Sequence, residues 1–401
     1  MTTVERRDAV TGPGAGDAAR RVIHTLIETS REQAPAAVAA GIRTAACHLG
    51  ATVADVYLND YEQRVLRPIE DGGQALGIDS TLAGRAFTTD TRVDATADGK
   101  FSAWFPLLDG AARLGVMHIA TREQQDWVVF DEFAGLVAEL LVCQNQYTDL
   151  FMRVRRRQDM SLAAEMCWQL LRPLTFTMSQ LAVSAMLEPA YDVGGDVFDY
   201  ACNEGTLHAA VFDAMGHGVS AAQTSSLALA AYRHARRQGA DLPACYAAVD
   251  ACLREHRPET FATGVLVELE CATGLLTWVN AGHPSPMLIR QRAVRRLTCV
   301  PALPMGVSAA FGVDAPETIA ETQLQVGDRV LVFSDGCTEA ATPNGEPFGE
   351  DRLGDFLVRE QSAGLGVAET LRRLSHAVTD HAGGELQDDA TVVLLEYRGQ
   401  Q

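Results

Sequence analysis

The stretch that decides the fold reads PAYDVGGDVFDY at residues 189 to 200, where three acids and a double glycine interrupt apolar, strand-like text. The chain continues with ACNEG and TLHAAVFDAMGHG, so a short polar turn separates two apolar runs. This pattern predicts a β-hairpin. Folding the hairpin about its turn places Asp196 opposite Asp213, with backbones about 5 Å apart. Two carboxylates at that distance repel each other strongly unless a cation lies between them.

Further acids follow or precede apolar strands later in the chain. DRVLVFSDG, at 328 to 336, ends in Asp335 and Gly336. LQDDATVVLLEY, at 386 to 397, places Asp388 and Asp389 just before another strand. Carboxylates and carbonyls without Cys or His ligands favour the hard cations Mg²⁺ and Mn²⁺ over zinc. The sequence therefore predicts a site for divalent cations where these strands end.

Composition narrows the class of protein. The chain has 401 residues, of which 47% are hydrophobic, and this length predicts two domains. Its formal net charge of −19 argues against nucleic acid and anionic membranes as partners. The nine cysteines form no CxxC pair, which argues against a zinc knuckle and a full disulfide framework. Without an apolar leader or spanning segment in the sequence, we expect a cytoplasmic protein with no membrane partner.

The front of the chain predicts a tail and a small mixed domain. Residues 1–17 have too little apolar content to order themselves. Residues 18–143 combine a helix up to about Gly50, strands, a crossover helix in LAGRAF and a closing helix, which indicates an α+β sensor-like module. The predicted strands lie at 53 to 58, 64 to 69, 102 to 108 and 113 to 120.

The segment 144–175 is predicted to contain a signalling helix and a linker helix. The closing helix is expected to begin at Asp131 and to run without a break to about Arg157. Its apolar side chains follow a heptad spacing, which favours a parallel homodimer. The arginines at its end are expected to form a solvated face, and SLAAEMCWQLLRPL, at 161 to 174, is expected to be the linker helix. The heptad positions are Phe133, Val137, Leu140, Gln144, Tyr147, Phe151 and Val154.

Residues 176–401 read as many strands with helices at about 219 to 237, 242 to 256 and 365 to 380. Helices in blocks between antiparallel strands predict a layered αββα sandwich. GGD followed by two apolar residues resembles diguanylate cyclases, but their signature continues with Glu and Phe where this chain has Val197 and Phe198.

Taken in order and spacing, seven motifs resemble the stage II sporulation protein E-like branch of the PPM metal-dependent serine/threonine phosphatases. They are YDVGGDVFDY, VFDAMGHGVSAA, TGVLVELE, VNAGHPSPMLI, PMGV, LVFSDGCTEA and QDDATVVLLE. The front module resembles a GAF domain through VADVYLNDYEQRVLRP, STLAGRAF and PLLDGAARLGVMHIAT. A sensor joined to such a phosphatase also resembles the partner-switching proteins that control sigma factors.

The resemblance implies a two-ion centre with Mn²⁺ or Mg²⁺. By motif, Asp213 bridges both ions, Asp335 and Asp388 complete one site, and Asp196 with the main-chain carbonyl of Ala214 holds the other. These four aspartates would act in catalysis through metal-bound water, which attacks the phosphorus in line. Many relatives have glycine where this chain has Ala214.

The remaining polar residues receive supporting roles. The phosphate anchor and the leaving-group acid have no assigned residue. His217 and His283 lie in glycine-flanked turns where a structural hydrogen bond is expected. Asp199 and Asp389 are expected to support the ligand loops. Three further acids are expected to be solvated surface residues: Glu339, Glu350 and Asp351.

Two functions stay open. In the first, the chain is a phosphoserine/phosphothreonine protein phosphatase acting on a phosphorylated STAS-type anti-sigma-factor antagonist, as the resemblance implies. In the second, it is a catalytically weak phosphatase-like module that works as a ligand-controlled binding partner. A small-molecule ligand of the GAF-like domain is possible near Tyr57, Trp104 and His118, although core packing of the aromatic rings explains the same residues.

Overall fold

The computed structural model describes residues 21–26, 28, 37–70, 72–95, 101–308 and 319–400. The chain divides into two units, Met1–Arg157 and Gln158–Gln401. This division falls inside 144–175, the segment predicted to contain the connecting helices. The tail predicted at 1–17 lies outside the described residues.

The first unit is built on one antiparallel sheet. From Val38 onward, its α-helices and strands are, in chain order, α1 (Val38–His48), β1 (Ala51–Asn59), β2 (Val65–Pro68), β3 (Leu76–Gly77), α2 (Leu82–Thr89), β4 (Val93–Asp94), β5 (Phe101–Asp109), β6 (Ala112–Thr121), α3 (Val128–Asn145) and α4 (Leu150–Arg155). The strand order is β3-β2-β1-β6-β5-β4. The four predicted strands are confirmed as β1, β2, β5 and β6.

Both faces of this sheet are covered by helices. Successive residues of a strand point to opposite faces of the sheet, so each face can pack against its own helices. On one face, Phe105 of β5 packs in one cluster with Ile42 of α1 and Phe133 of α3. On the other face, Phe87 of α2 packs with Leu66 of β2. The predicted α+β arrangement of the front module is confirmed, and its identity as a GAF domain stays a prediction.

The single long helix predicted for 131 to 157 is wrong, because α3 ends at Asn145 and α4 is a separate short helix. The hydroxyl of Thr148 accepts a backbone N–H two residues later at 3.1 Å, a local bond that competes with helical pairing. Phe151 is 3% exposed and belongs to the core of its own unit, whereas Tyr147 is 76% exposed. The heptad side chains therefore form no continuous free stripe to support the predicted dimer.

The arginine run after the break is also different from the prediction. Arg155 donates to the carbonyl oxygen of Asn59 at 3.0 Å and its guanidinium lies 4.6 Å from the ring centre of Tyr61. Arg157 lies 2.7 Å from the carboxylate of Glu62. Arg155 is thus not part of a solvated face, because it holds the end of α4 against the turn between β1 and β2, whereas Arg157 is exposed, as predicted.

The second unit consists of two sheets and two helical layers. In chain order, its described elements are α5 (Leu162–Leu170), β7 (Thr175–Thr177), β8 (Leu181–Glu188), β9 (Val197–Asn203), β10 (Thr206–Ala214), α6 (Gly218–Arg237), α7 (Leu242–His256), β11 (Ala262–Glu270), β12 (Leu275–Ala281), β13 (Met287–Arg290), β14 (Ala293–Arg296), β15 (Ala320–Gln323), β16 (Arg329–Phe333), α8 (Gly336–Glu339), α9 (Glu350–Ser362), α10 (Val367–His381) and β17 (Ala390–Tyr397). The sheet orders are β15-β12-β11-β10-β9 and β14-β13-β16-β17-β8-β7.

The two sheets pack face to face, with helices on both outer faces. Val265 of the first sheet and Val393 of the second share the central cluster. Outside the first sheet, Tyr232 of α6 packs with Phe212 of β10. Outside the second sheet, Leu374 of α10 packs in a cluster with residues of β16 and β17. The predicted αββα sandwich is confirmed.

The predicted hairpin is confirmed in its register. Phe212 of β10 pairs with Val197 of β9, and Thr206 pairs with Asn203, so two residues form the turn. Glu204 and Gly205 both have positive φ angles, 49° and 84°, as a two-residue hairpin turn requires. Continuing this register past its last pair brings Asp213 opposite Asp196.

The predicted helices of this unit are confirmed. The helices expected at 219 to 237, 242 to 256 and 365 to 380 are α6, α7 and α10. Helix α5 begins after Ser161, whose hydroxyl caps it by accepting the N–H of Ala164 at 3.1 Å. It ends before Pro173, as predicted, and Cys167 is buried in the core of the second unit. Helices α8 and α9 were not predicted.

Candidate metal centre

Four predicted ligand acids lie where strands begin or end. Asp196 comes immediately before β9, and Asp213 lies next to the end of β10. Asp335 follows β16 after one residue and stands at the start of α8, and Asp388 comes two residues before β17. Their charges interact directly: Asp213 lies close enough to Asp335 and Asp388 for both acids to raise its pKa, and Asp196 lies close enough to Asp213 for the same effect. The structure therefore gathers acids from distant parts of the chain.

Asp196 is the most deeply buried of these acids. Its side chain is 2% exposed, and among the described residues its Oδ2 has no hydrogen-bond partner. Burial raises its pKa well above the ordinary value, and the charges of Asp213 and Asp389 raise it further. An ionised carboxylate in such a place needs a positive partner.

Asp213 and Asp335 are also held in a medium that disfavours their charge. Burial raises the pKa of Asp213 to about 7, with the charges of Asp335, Asp388 and Asp389 adding to the effect. Burial also raises the pKa of Asp335, and Asp388 contributes. The hydroxyl of Thr263 donates to Asp213 Oδ2 at 3.4 Å and opposes the rise in the pKa of Asp213.

The double glycine lets the loop that carries Asp196 approach the end of β10. A Cβ on Gly195 would lie 2.7 Å from the Cβ of Ala221 and 3.2 Å from the carbonyl oxygen of Ala214. Any larger residue at this position would have to move the loop. The carbonyl that is predicted to bind a metal ion therefore lies beside the Asp196 loop, and glycine makes this approach possible.

Asp389 holds the same loop from the opposite sheet. Its carboxylate accepts the backbone N–H groups of Gly194 at 2.7 Å, Gly195 at 2.6 Å and Asp196 at 3.0 Å. The predicted supporting role of Asp389 is confirmed. Because Asp388 is its neighbour in the chain, these bonds fix two predicted ligands relative to each other.

Asp199 supports a helix instead of a loop. Its carboxylate is fully buried and lies 2.7 Å from a guanidinium nitrogen of Arg233 and 2.8 Å from one of Arg236. Arg172 adds a third contact at 3.7 Å. The two arginines of α6 were missed in the sequence, although their spacing puts them on the same side of that helix.

The two histidines differ in their surroundings. The backbone N–H of His283 donates to the side chain of Asn280 at 2.8 Å, and its Nδ1 lies 2.8 Å from Thr263 Oγ1. The predicted structural hydrogen bonds of His283 are confirmed, and burial lowers its pKa to about 4. His217 is exposed at the start of α6 and its side chain makes no capping bond, so its structural hydrogen bond stays a prediction.

The remaining sequence candidates lie away from the acids or pack among themselves. Glu339 and Asp351 are exposed, as predicted, and Glu350 forms an ion pair with Arg296. In the first unit, the rings of Trp104 and His118 stack with centres 4.5 Å apart, and Tyr57 lies 5.6 Å from Trp104. Mutual packing therefore accounts for these three rings.

The donor set suits hard divalent cations. The gathered groups are carboxylates with a nearby carbonyl, Oδ2 of Asp196 has no hydrogen-bond partner among the described residues, and the charged groups that act on Asp196 are other acids. Within the described ranges, however, no three His, Cys, Asp or Glu side chains are placed to share one ion. The residues fit Mg²⁺ or Mn²⁺ by the chemistry of their oxygen donors, and the coordination sphere itself is a prediction.

An αββα sandwich with aspartates gathered from both sheets defines the PPM, or PP2C, class of protein phosphatase. The comparison with known families agrees: residues 203–398, just under half of the chain, match the model of the family described as Stage II sporulation protein E (SpoIIE). This match lies within the second unit and supports a serine/threonine phosphatase domain of the PPM type there.

Other relatives match over similar lengths. Protein IcfG of Synechocystis sp. is 23% identical over 261 residues, which cover 55% of this chain and 38% of that protein. This chain thus spans about two fifths of the length of that relative. The structure of the RsbU and RsbW domains of Rv1364c from Mycobacterium tuberculosis is 24% identical, with a TM-score of 0.48, and the match covers 57% of this chain and 63% of that one.

A second solved structure is the SiaA-PP2C domain of Pseudomonas aeruginosa. It is 23% identical, with a TM-score of 0.47, and the match covers 54% of this chain and 85% of that one.

Within the part of this chain that the structure describes, every helix is too short or too polar to cross a lipid bilayer.

Proposed function

We propose that this chain hydrolyses phosphoserine and phosphothreonine in a protein substrate, with two Mn²⁺ or Mg²⁺ ions held by its aspartates. The observation that carries the proposal is the gathering of acids from both sheets of a domain that matches the SpoIIE family. Burial and the neighbouring acids raise the pKa of Asp196, Asp213 and Asp335. Divalent ions would offset this repulsion and keep all of the acids ionised.

Each acid has a role that follows from its neighbours. Asp213 interacts with Asp196 as well as with Asp335 and Asp388, which suits a residue that bridges two ions. Asp335 and Asp388 would complete one site, and Asp196 with the carbonyl of Ala214 would complete the other. When bound, the ions would supply positive charge for the phosphate oxygens and activate the attacking water.

No covalent phosphoenzyme is part of this proposal. Cys337 follows Asp335 closely in the chain, and Cys167 lies within reach of the charges of Asp196 and Asp389. Burial raises the pKa of each thiol to about 12. Because the thiolate is the nucleophilic form, neither cysteine is suited to attack phosphorus at neutral pH.

The proposed substrate is a phosphorylated STAS-type anti-sigma-factor antagonist in a partner-switching pathway. Its support is the SpoIIE-family match and the similarity to a chain that contains RsbU and RsbW domains. We place this reaction in the cytoplasm, where the nine free thiols would stay reduced. The first unit would be a GAF-type sensor, with a possible small-molecule ligand, that regulates the phosphatase.

A second candidate is a phosphatase-like module that binds a partner without turnover. The observation in its favour is that, among the described side chains, no three acids are placed to share one ion. In this case the aspartates would bind ions weakly and the module would act through ligand-controlled contacts. Retention of all four predicted ligand acids argues for the enzyme.

A phosphatase assay separates the two candidates. The full chain, freed of metal with EDTA, would be incubated with a serine-phosphorylated STAS protein before and after addition of Mn²⁺ or Mg²⁺. The enzyme would release phosphate only after addition of the ions, and in ¹⁸O-labelled water the label would enter the phosphate. Stoichiometric binding of the phosphoprotein without phosphate release would support the binding module instead.

A further inference from the structure

Asp213 is connected to a buried histidine through one hydroxyl group. Asp213 of β10 and Thr263 of β11 are direct partners across the two strands. The hydroxyl of Thr263 lies 3.4 Å from Asp213 Oδ2 and 2.8 Å from His283 Nδ1. The three side chains therefore form a line that runs from the acid into the interior of the domain.

The backbone of His283 is held firmly at the end of this line. The side chain of Asn280 accepts the backbone N–H of His283 and donates to its carbonyl oxygen, both at 2.8 Å. Gly282, with a φ of 69°, allows the tight turn that this arrangement requires. His283 is 7% exposed, so its ring has little freedom to leave Thr263.

The hydroxyl of Thr263 has one hydrogen to donate and lone pairs with which to accept. If Nδ1 of His283 carries the proton, it donates to Thr263, and the hydroxyl hydrogen is directed to Asp213. If Nδ1 is unprotonated, it accepts the hydroxyl hydrogen, and both oxygens of Asp213 are free for cations. In either tautomer, the histidine fixes the position of the hydroxyl group beside Asp213.

We propose that His283 is a positioning residue that sets the orientation of Asp213 through Thr263. It touches neither the phosphate nor the ions. This inference rests on the proposed function, because Asp213 is taken as the acid that bridges the two cations. Groups that orient ligands in this indirect way typically change metal affinity by about 10-fold to 100-fold when they are removed.

Two pairs of variants test the connection. His283→Asn places an amide near the position of Nδ1, whereas His283→Gln places it near Nε2, away from Thr263. Thr263→Ser keeps the hydroxyl, whereas Thr263→Val removes it at nearly the same volume. We expect His283→Gln and Thr263→Val to weaken Mn²⁺ binding about tenfold, and His283→Asn and Thr263→Ser to stay close to the wild type.

The experiment measures Mn²⁺ binding to the metal-free full chain. Binding is detected as a decrease in the paramagnetic resonance signal of free Mn²⁺. The double variant Thr263→Val/His283→Gln should bind no more weakly than the weaker single variant, because both changes break the same connection. Equal binding by His283→Asn and His283→Gln, or wild-type binding by Thr263→Val, would overturn the inference. Thermal unfolding without metal checks that each variant folds. If the histidine variants do not fold, the comparison of Thr263→Ser with Thr263→Val decides whether the inference holds.

Asp213→Asn separates this inference from the proposed function. If Asp213→Asn binds Mn²⁺ like the wild type, the proposed metal centre is wrong. If Asp213→Asn loses Mn²⁺ while Thr263→Val retains it fully, the metal centre stands and only the positioning role of His283 fails.

Discussion

Asp196 and Asp199 lie in the same stretch of sequence and are both buried, yet their surroundings are opposite. Asp199, with no exposed surface, contacts Arg233 at 2.7 Å and Arg236 at 2.8 Å. Asp196 is 2% exposed, and the charges of Asp213 and Asp389 raise its pKa, as does burial. One carboxylate is neutralised inside the fold, and the other lies among groups of its own sign.

The difference separates a structural acid from a candidate ligand. A buried carboxylate must be paired, protonated or bound to a cation, because an isolated charge is too costly in a medium of low polarity. The arginines of α6 meet this need for Asp199. For Asp196, the described residues offer Oδ2 no hydrogen-bond partner, and the proposed function assigns this place to a cation from solution.

The largest expected effect comes from removing the acid at the centre of the cluster. Asp213→Asn should lower phosphatase activity by at least about 100-fold, because the bridging charge for both ions is lost. The measurement is phosphate release from the phosphorylated STAS protein at saturating Mn²⁺. The matched control is Asp192→Asn, an exposed acid of the same loop, which should keep wild-type activity. Equal activity of the two variants would contradict the role of Asp213.

The contrast between Asp196 and Asp199 is tested by replacing each aspartate with asparagine. Asp199→Asn should destabilise the fold by about 3 kcal/mol, because it leaves buried Arg236 without its charge partner. Asp196→Asn should not lower the stability of the metal-free protein, because it removes a charge from a repulsive cluster. Urea unfolding in EDTA gives both values. Equal destabilisation by the two variants would remove the distinction between them.

Cations should stabilise the fold through the acid cluster. At a Mn²⁺ concentration 100 times the Kd, the wild-type free energy of unfolding should rise by about 2.7 kcal/mol. Thermal unfolding with and without Mn²⁺ measures this rise, and Asp199→Asn should show it as well. If Asp196→Asn gains as much as the wild type, Asp196 is not a ligand.

His283 adds a buried group of a third kind, one that stays neutral. Burial lowers its pKa from 6.5 to about 4, so below pH 6.5 the unfolded chain takes up a proton that the folded chain does not. This contribution to stability is fully present above pH 6.5 and is lost as the pH falls toward 4, at up to about 1.4 kcal/mol per pH unit. In His283→Asn, this part of the dependence of unfolding free energy on pH should be absent. Urea unfolding measured between about pH 4 and pH 6.5 would check it. An unchanged slope would contradict a neutral buried imidazole.

The smallest expected effect on Mn²⁺ affinity concerns Ala214, whose predicted ligand atom is the main-chain carbonyl oxygen. Ala214→Gly should destabilise the fold by about 0.5 to 1 kcal/mol, as glycine does within a strand. Mn²⁺ affinity should stay within about threefold of the wild type, because the carbonyl is kept. Calorimetric titration would measure the Mn²⁺ affinity. A loss of affinity as large as that of Asp196→Asn would show that the side chain of Ala214 contributes to the site.

The hairpin and its acids could be predicted because the information is local. The turn residues, the alternation of apolar side chains and the spacing of Asp196 and Asp213 all lie within one short segment. The break before α4 could not be predicted from the heptad spacing. The apolar face that suggested a partner helix packs instead on the unit's own core through Phe151, and spacing alone does not identify what a face packs against.

The supporting residues of the site also depended on contacts that the sequence does not show. Asp389 was expected to support a ligand loop, but its partners Gly194 and Gly195 are known only from the folded chain. The line from Asp213 through Thr263 to His283 requires the register of β10 on β11 and the turn after β12. Neither can be read from residue spacing.

The bonds from Asp389 to the glycine loop also bear on how the protein is made. Gly194 and Asp389 are separated by 195 positions in the chain. A ribosome must therefore synthesise almost the whole second unit before the loop that carries Asp196 can be secured. A nascent chain that stops short of the last strand would contain most of the sandwich without a working centre, so activity should arise only once β17 has emerged and joined its sheet.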